Sequence, residues 1–141
     1  MSIEKILNTA PVTLDYTETT NEIRVSVVPE YIEDAPEEFG DGFAFAYTVS
    51  IENHRKDSVQ LIDRHWVIHS GGSHFQEVKG EGVVGLQPLL EPGESFQYTS
   101  WSVIRDPQGT MRGSYTLRSE GGEEFQVQIP EFDLVCPEFI H

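Results

Sequence analysis

The sequence of 141 residues predicts an all-β domain, an antiparallel sandwich or barrel of seven or more short strands. Apolar and polar residues alternate with a period of two through most of the chain, and helical periodicity is nearly absent. Turn signals recur every dozen or so residues, at Gly71-Gly72, Pro92-Gly93, residues 106–109 and Gly121-Gly122. The pattern shows no internal boundary, so we expect residues 1–141 to form one domain.

The clearest strand covers residues 43–51, where aromatic and branched side chains occupy every second position. On its apolar face lie Phe43, Phe45, Tyr47, Val49 and Ile51. The same alternation predicts strands at residues 23–27, 75–79, 96–98, 115–117, 125–129 and 132–134.

Residues 59–68 predict a central strand, because both of its faces carry apolar side chains. Ile62, Trp66 and Ile68 fall on one face, and Leu61 and Val67 on the other. Arg64 shares the face of Ile62 and Trp66, where a lone charge needs a partner or a local bulge that re-aims it.

The charge balance limits the classes of partner. Nine basic residues against 24 acidic ones give a formal net charge of -15, which opposes the phosphate contacts of nucleic-acid binding. A basic protein or a cation is favoured instead, although high net charge also serves solubility alone. The chain has no apolar run of about 18 residues, so we expect no membrane span. Residues 1–10 lack a secretory signal and Cys136 is the single cysteine, so a cytoplasmic location is expected.

The segment from Gly80 to Gly85 matches the pattern G-x-G-x-x-G. In a dinucleotide site this loop opens a helix, but Pro88 and Pro92 follow too soon for one, and no βαβ unit surrounds it. Two interpretations stay open. The loop is purely structural, or its backbone amides form a small anion cradle beside Lys79.

Metal-binding and catalytic patterns are weak. Asp63, His65 and His69 share a strand face, but residues four apart on a strand are separated by about 13 Å. The acidic segment 30–41 lacks the spacing of an EF-hand, although weak cation binding there stays open. No nucleophile elbow is present. We therefore expect no dedicated metal site, no cofactor and no catalytic residue, with a hydrolase as the disfavoured alternative.

The order of longer motifs resembles the ApaG (CorD) family over about residues 23–136. The motifs are QLIDRHWVI at 60–68, VKGEGVVGLQP at 78–88, EPGESFQYTS at 91–100, GTMRGSY at 109–115 and FQVQIPEF at 125–132. The resemblance implies a fibronectin type III/immunoglobulin-like β-sandwich and a cytoplasmic bacterial protein linked to cobalt resistance and magnesium efflux. It also implies a protein-interaction role, since related domains are fused in eukaryotic F-box and DNA polymerase delta-interacting proteins. It brings no enzymatic activity.

Two departures from the family pattern bear on the site. Ser100-Trp101 stands where the family has Ser-Gly, and Asp34-Ala35 stands near a usual serine. An exposed tryptophan is a typical interface anchor. The sequence thus predicts a non-enzymatic module that binds another protein, with a homo-oligomer left open, or alternatively a nucleotide-type polyphosphate, pyrophosphate or divalent cation. The candidate binding residues are Arg64, Trp66, Lys79, Gly80, Gly82, Gly85 and Trp101.

Overall fold

The alternating segments form strands that pair into two antiparallel sheets, as the computed structural model of residues 3–6, 16–72 and 74–137 describes. In these residues no α-helix occurs, and one 3-10 turn spans Glu37–Phe39. The strands are β1 Ile3–Ile6, β2 Tyr16–Thr20, β3 Ile23–Tyr31, β4 Phe43–Asn53, β5 Val59–His69, β6 Phe75–Glu81, β7 Leu89–Leu90, β8 Ser95–Ile104, β9 Gln108–Ser119 and β10 Glu124–Val135. No helix in this described part is long and apolar enough to cross a bilayer.

The two sheets enclose one apolar core, as a β-sandwich requires. The first sheet has the strand order β1-β8-β4-β3-β2, and the second has β10-β9-β5-β6 with the short β7 also paired to β5. Inward side chains from both sheets fill this core, including the buried Phe45, Ile51, Leu117 and Leu134. The predicted all-β sandwich is thereby confirmed, and it fits a fibronectin type III-like fold.

Trp66 lies at the centre of an aromatic cluster that joins the two sheets. Its indole is 3% exposed, and its ring centroid lies 5.3 Å from Tyr47, 6.4 Å from Tyr115 and 6.0 Å from Phe132. Burial of an aromatic ring of this size contributes about 2–3 kcal/mol before edge-to-face contacts add to it. Trp66 is therefore a core residue first, and only its groove-facing side is available to a ligand.

A β-bulge in β5 corrects one expectation about the core. The register of β5 against β9 shifts between Leu61 and Asp63, so Ile62 is an extra residue without its own partner. Leu61 is 1% exposed and joins the core, whereas Ile62 is only half-buried. The expectation that Ile62 shares the inner face with Trp66 was wrong. After the bulge the alternation resumes and places Arg64 on the inner face.

Two features of the first sheet were not predicted from the pattern. The edge strand β2 is largely exposed, and β3 continues through Glu30 into what looked like the acidic loop. The loop that follows carries the 3-10 turn, and this turn places Phe39 against the outer face of the first sheet.

Candidate binding site

A hairpin of β5 and β6 positions the first group of candidate residues. Arg64 lies opposite Gly80 in the register, and Trp66 lies opposite Val78. The Nη1 of Arg64 donates hydrogen bonds to the carbonyl oxygens of Glu81 at 3.1 Å and Gly82 at 2.9 Å. The inward charge is therefore solvated by backbone dipoles.

Gly80 and Gly82 permit close approaches that a side chain would prevent. A Cβ at Gly80 would lie 2.9–3.0 Å from the guanidinium atoms of Arg64, so the guanidinium lies across this glycine. Gly82 has a φ of 63°, and a Cβ there would overlap the carbonyl oxygen of Leu86. The first glycine makes room for the arginine, and the second allows the loop to close.

The glycine loop is a tight hairpin closed by its own backbone. Val83 and Leu86 exchange two hydrogen bonds of 2.8 and 2.9 Å, and the Gly82 amide donates to the Ile62 carbonyl at 2.8 Å. Between them, Val84 and Gly85 have φ angles of 43° and 82°, the left-handed conformation of a type I′ turn. Three amides of the loop are thus donated to protein carbonyls, which leaves them unable to cradle an anion.

A groove of about 430 Å³ lies between the two sheets beside this hairpin. Strand β8 of the first sheet forms one wall, and β5, β6 and Val83 form the other. Polar groups that line it include Arg64, Gln76, Ser100 and Ser102. Arg64 is the one charged lining residue, and among the described residues no carboxylate oxygen lies within 4.0 Å of its guanidinium.

A pair of buried tyrosines lies at the inner end of the groove, where Tyr98 is a lining residue and Tyr115 lies behind it. The hydroxyls of Tyr98 and Tyr115 share a hydrogen bond across the sheets, and both residues are almost fully buried. Burial raises the pKa of both phenols above their ordinary value of 10.0, because the phenolate would lose its hydration. Both hydroxyls therefore stay protonated near neutral pH, and the pair acts as a neutral polar floor.

The groove opens where each sheet ends in an edge strand. β6 is the outer strand of the second sheet. In the described part of the chain, β1 covers β8 only from Ser95 to Tyr98, whereas β4 pairs with β8 along its whole length. On that side of β8, no described residue pairs with the stretch from Thr99 to Ile104, which lies beside the groove.

Trp101 stands at the rim rather than in the core. It points to the outer face of the first sheet, 38% of its surface is exposed, and it also borders the groove. The ring of Phe39 stacks on it with centroids 5.6 Å apart and an interplanar angle of 22°. One side of the indole is thus held by the 3-10 turn, and the other remains accessible.

The remaining predicted residues lie near the groove without lining it. Lys79 follows the groove-lining Val78, so it projects from the opposite face of β6, where its ammonium lies 4.0 Å from Glu77. Gly85 belongs to the hairpin turn and has no atom within 4 Å of its Cβ position. The structure therefore brings Arg64, Trp66 and Trp101 together at one groove, with Gly80 and Gly82 shaping its wall.

Sequence reasoning missed the polar residues that β8 contributes. Ser100 and Ser102 continue the inward alternation of Phe96 and Tyr98, so small polar side chains occupy positions on the core face. That break in the apolar pattern was the available signal. The contribution of β8 to the groove could not be predicted from the sequence, because β5 and β8 belong to different sheets.

The described residues contain no group of side chains assembled to bind a metal ion or to activate a nucleophile. His65 pairs with Glu77, His54 with Glu52, and no set of three or more His, Cys, Asp or Glu side chains converges there. The thiol of Cys136 is buried at 3% exposure.

Comparison with known proteins agrees with this architecture. The model of the ApaG domain family matches residues 33–119. Protein ApaG of Ralstonia nicotianae is 51% identical over 120 residues, which cover 85% of this chain and 97% of that protein. Protein ApaG of Dechloromonas aromatica is 46% identical over 124 residues, which cover 86% and 98% of the two chains.

Solved structures show the same fold. An X-ray structure of a structural genomics target superposes with a TM-score of 0.79 at 39% identity and covers 88% of this chain and 94% of that one. A crystal structure described as that of an ApaA protein from Bordetella pertussis has a TM-score of 0.75 at 45% identity, with 90% and 98% covered. By its matched domain and its relatives, this chain belongs to the ApaG family.

Proposed function

We propose that the chain is a non-catalytic, cytoplasmic module that binds another protein at the groove between β6 and β8. The observation that carries this proposal is the groove itself, where two strand edges, an accessible indole and a guanidinium without a carboxylate partner among the described residues meet. Such a combination of aromatic and arginine side chains is enriched at protein interfaces. Any role in cobalt resistance and magnesium efflux, which the family resemblance implies, would follow from the partner held there.

Catalysis explains the residues of this groove less well than protein binding does. The polar groups of the groove are one arginine, one glutamine, two serines and the tyrosines Tyr47 and Tyr98, and burial raises the pKa of Tyr98 further from neutrality. A hydrolytic site needs a base near neutral pH within hydrogen-bond reach of a nucleophile. The lining residues include no histidine and no carboxylate that could act as that base.

A small-anion site is the alternative function, and Arg64 is the observation that favours it. A pyrophosphate or a nucleotide-type polyphosphate would place several charges beside a single guanidinium, in a chain whose net charge is -15. Three loop amides, those of Gly82, Val83 and Leu86, are donated to the carbonyls of Ile62, Leu86 and Val83, so they cannot share that charge. Calorimetry with pyrophosphate and diadenosine tetraphosphate separates this alternative from protein binding, and magnesium and cobalt test the cation version.

Site-specific photo-cross-linking tests the docking surface. A benzophenone side chain replaces Ser102 in the groove or, as the matched control, Gln126 on the exposed face of β10. We expect distinct cross-linked proteins from position 102 in the native cytosol, and their loss when Trp101→Ala is added. Equal labelling from both positions, or labelling from position 126 alone, would place the docking surface elsewhere.

A further inference from the structure

We infer that the groove receives an extended segment of the partner, which adds as a strand to the free edge of β8 and directs a carboxylate to Arg64. This inference rests on the proposed function and specifies the chemistry of the partner. It joins three observations within the described part of the chain: a stretch of the β8 edge that no strand pairs, a groove beneath that edge, and a cation inside the groove without a counter-ion.

The edge of β8 already accepts an added strand over part of its length. β1 pairs antiparallel with it from Ser95 to Tyr98, and the same edge continues from Thr99 to Ile104, where no described residue pairs with it. A segment seated there would satisfy the unpaired amides and carbonyls, which is how peptides commonly extend a sheet. Every second side chain of that segment would enter the groove beside Ser100 and Ser102.

Arg64 determines which side chain of the added segment fits inside the groove. Its Nη1 donates to the carbonyls of Glu81 and Gly82, and within the described part of the chain no acceptor is bonded to its Nε or Nη2. A carboxylate is the acceptor that matches these remaining donors. A neutral segment would leave the guanidinium less hydrated than in the free chain, with nothing to replace the lost water.

The charge of the whole chain limits the rest of the segment. With 24 acidic and nine basic residues, the chain repels a strongly acidic partner at long range. A segment with one inward carboxylate and neutral or basic outward residues satisfies both the local cation and the overall field. The same repulsion disfavours a second copy of this chain as the occupant.

Peptide binding tests this directly. The probe is a capped seven-residue peptide of alternating threonine and valine with glutamate at its centre and lysine at each end, and its control has glutamine at the centre. By calorimetry at physiological salt we expect the glutamate peptide to bind about tenfold more tightly, as a charge-assisted hydrogen bond warrants. Arg64→Gln should abolish that preference, whereas Lys79→Gln, which removes an equal charge outside the groove, should keep it.

Backbone methylation tests strand addition without altering this protein. Two versions of the glutamate peptide carry N-methyl groups at alternate residues in opposite phases. Only one phase should lose binding, because only alternate amides face the neighbouring strand. Equal effects of both phases, equal affinity for glutamate and glutamine peptides, or no binding at millimolar peptide would each overturn the inference. If groove cross-links still form in those cases, the docking surface stands and only the partner's chemistry is wrong.

Discussion

Alanine substitution of the three motif glycines distinguishes a structural loop from an anion cradle. Gly82→Ala would place a Cβ against the Leu86 carbonyl at a φ of 63°. Relief of that overlap separates Val83 from Leu86 and loses two hydrogen bonds of about 1 kcal/mol each. Left-handed strain adds about 1 kcal/mol, and the total expected cost is about 3 kcal/mol.

The other two substitutions serve as graded controls. Gly85→Ala has the same left-handed strain with free space around its Cβ, so we expect a loss of about 1 kcal/mol. Gly80→Ala meets only the mobile end of Arg64, and alanine suits a strand better than glycine, so its cost should stay within about 0.5 kcal/mol.

Urea denaturation followed by far-ultraviolet circular dichroism gives the three free energies of unfolding. If the unfolding free energy keeps the same slope against urea concentration while the midpoint shifts, stability alone has changed. The expected order of destabilisation is Gly82, Gly85, Gly80. If Gly80→Ala proved as damaging as Gly82→Ala, or Gly82→Ala proved neutral, the closed-hairpin account of the loop would be refuted.

Three further outcomes are expected. Asn53→Ala should lower the free energy of unfolding, measured by urea denaturation, by about 3–4 kcal/mol, because the buried amide of Asn53 bonds three backbone groups. Ser50→Ala on the outer face should lower it by less than about 1 kcal/mol. Stability should fall above pH 10.0 by up to about 1.4 kcal/mol per pH unit for each of Tyr98 and Tyr115, since the folded pKa exceeds the unfolded one. Replacing both with phenylalanine should flatten that decline, and an unaltered alkaline profile would contradict it. Cys136 should react with a thiol reagent only as fast as the chain opens, so rapid labelling of the native protein would contradict its burial.

Most strands were predictable because burial of one strand face places apolar residues at every second position of the sequence. Residues 43–51 show this alternation throughout, and the structure has β4 there. β2 shows no such alternation, since its side chains are mostly exposed, and its existence depends on pairing with β3. A local bulge was one of the two expectations for Arg64, but its position at Ile62 could not be predicted, because an extra residue in a strand leaves both neighbouring faces apolar.

The candidate site was predictable only in part, for a topological reason. Arg64 and Gly80 belong to adjacent strands of one hairpin, so their proximity follows from local sequence. Ser102 reaches the same groove through the packing of two sheets, which no short-range pattern encodes. The stacking of Phe39 on Trp101 likewise depends on where a loop returns over the first sheet.

The two tryptophans occupy opposite environments, so their fluorescence can report on the core and on the groove separately. Trp66 is enclosed by aromatic rings, so its emission should be blue-shifted and shielded from a soluble quencher, and it should report loss of the fold. Trp101 is accessible at the groove, so quencher access to it should change when the groove is occupied. In the Trp101→Phe variant the emission comes from Trp66 alone. Occupancy and unfolding can thus be recorded separately in the same molecule without an added label.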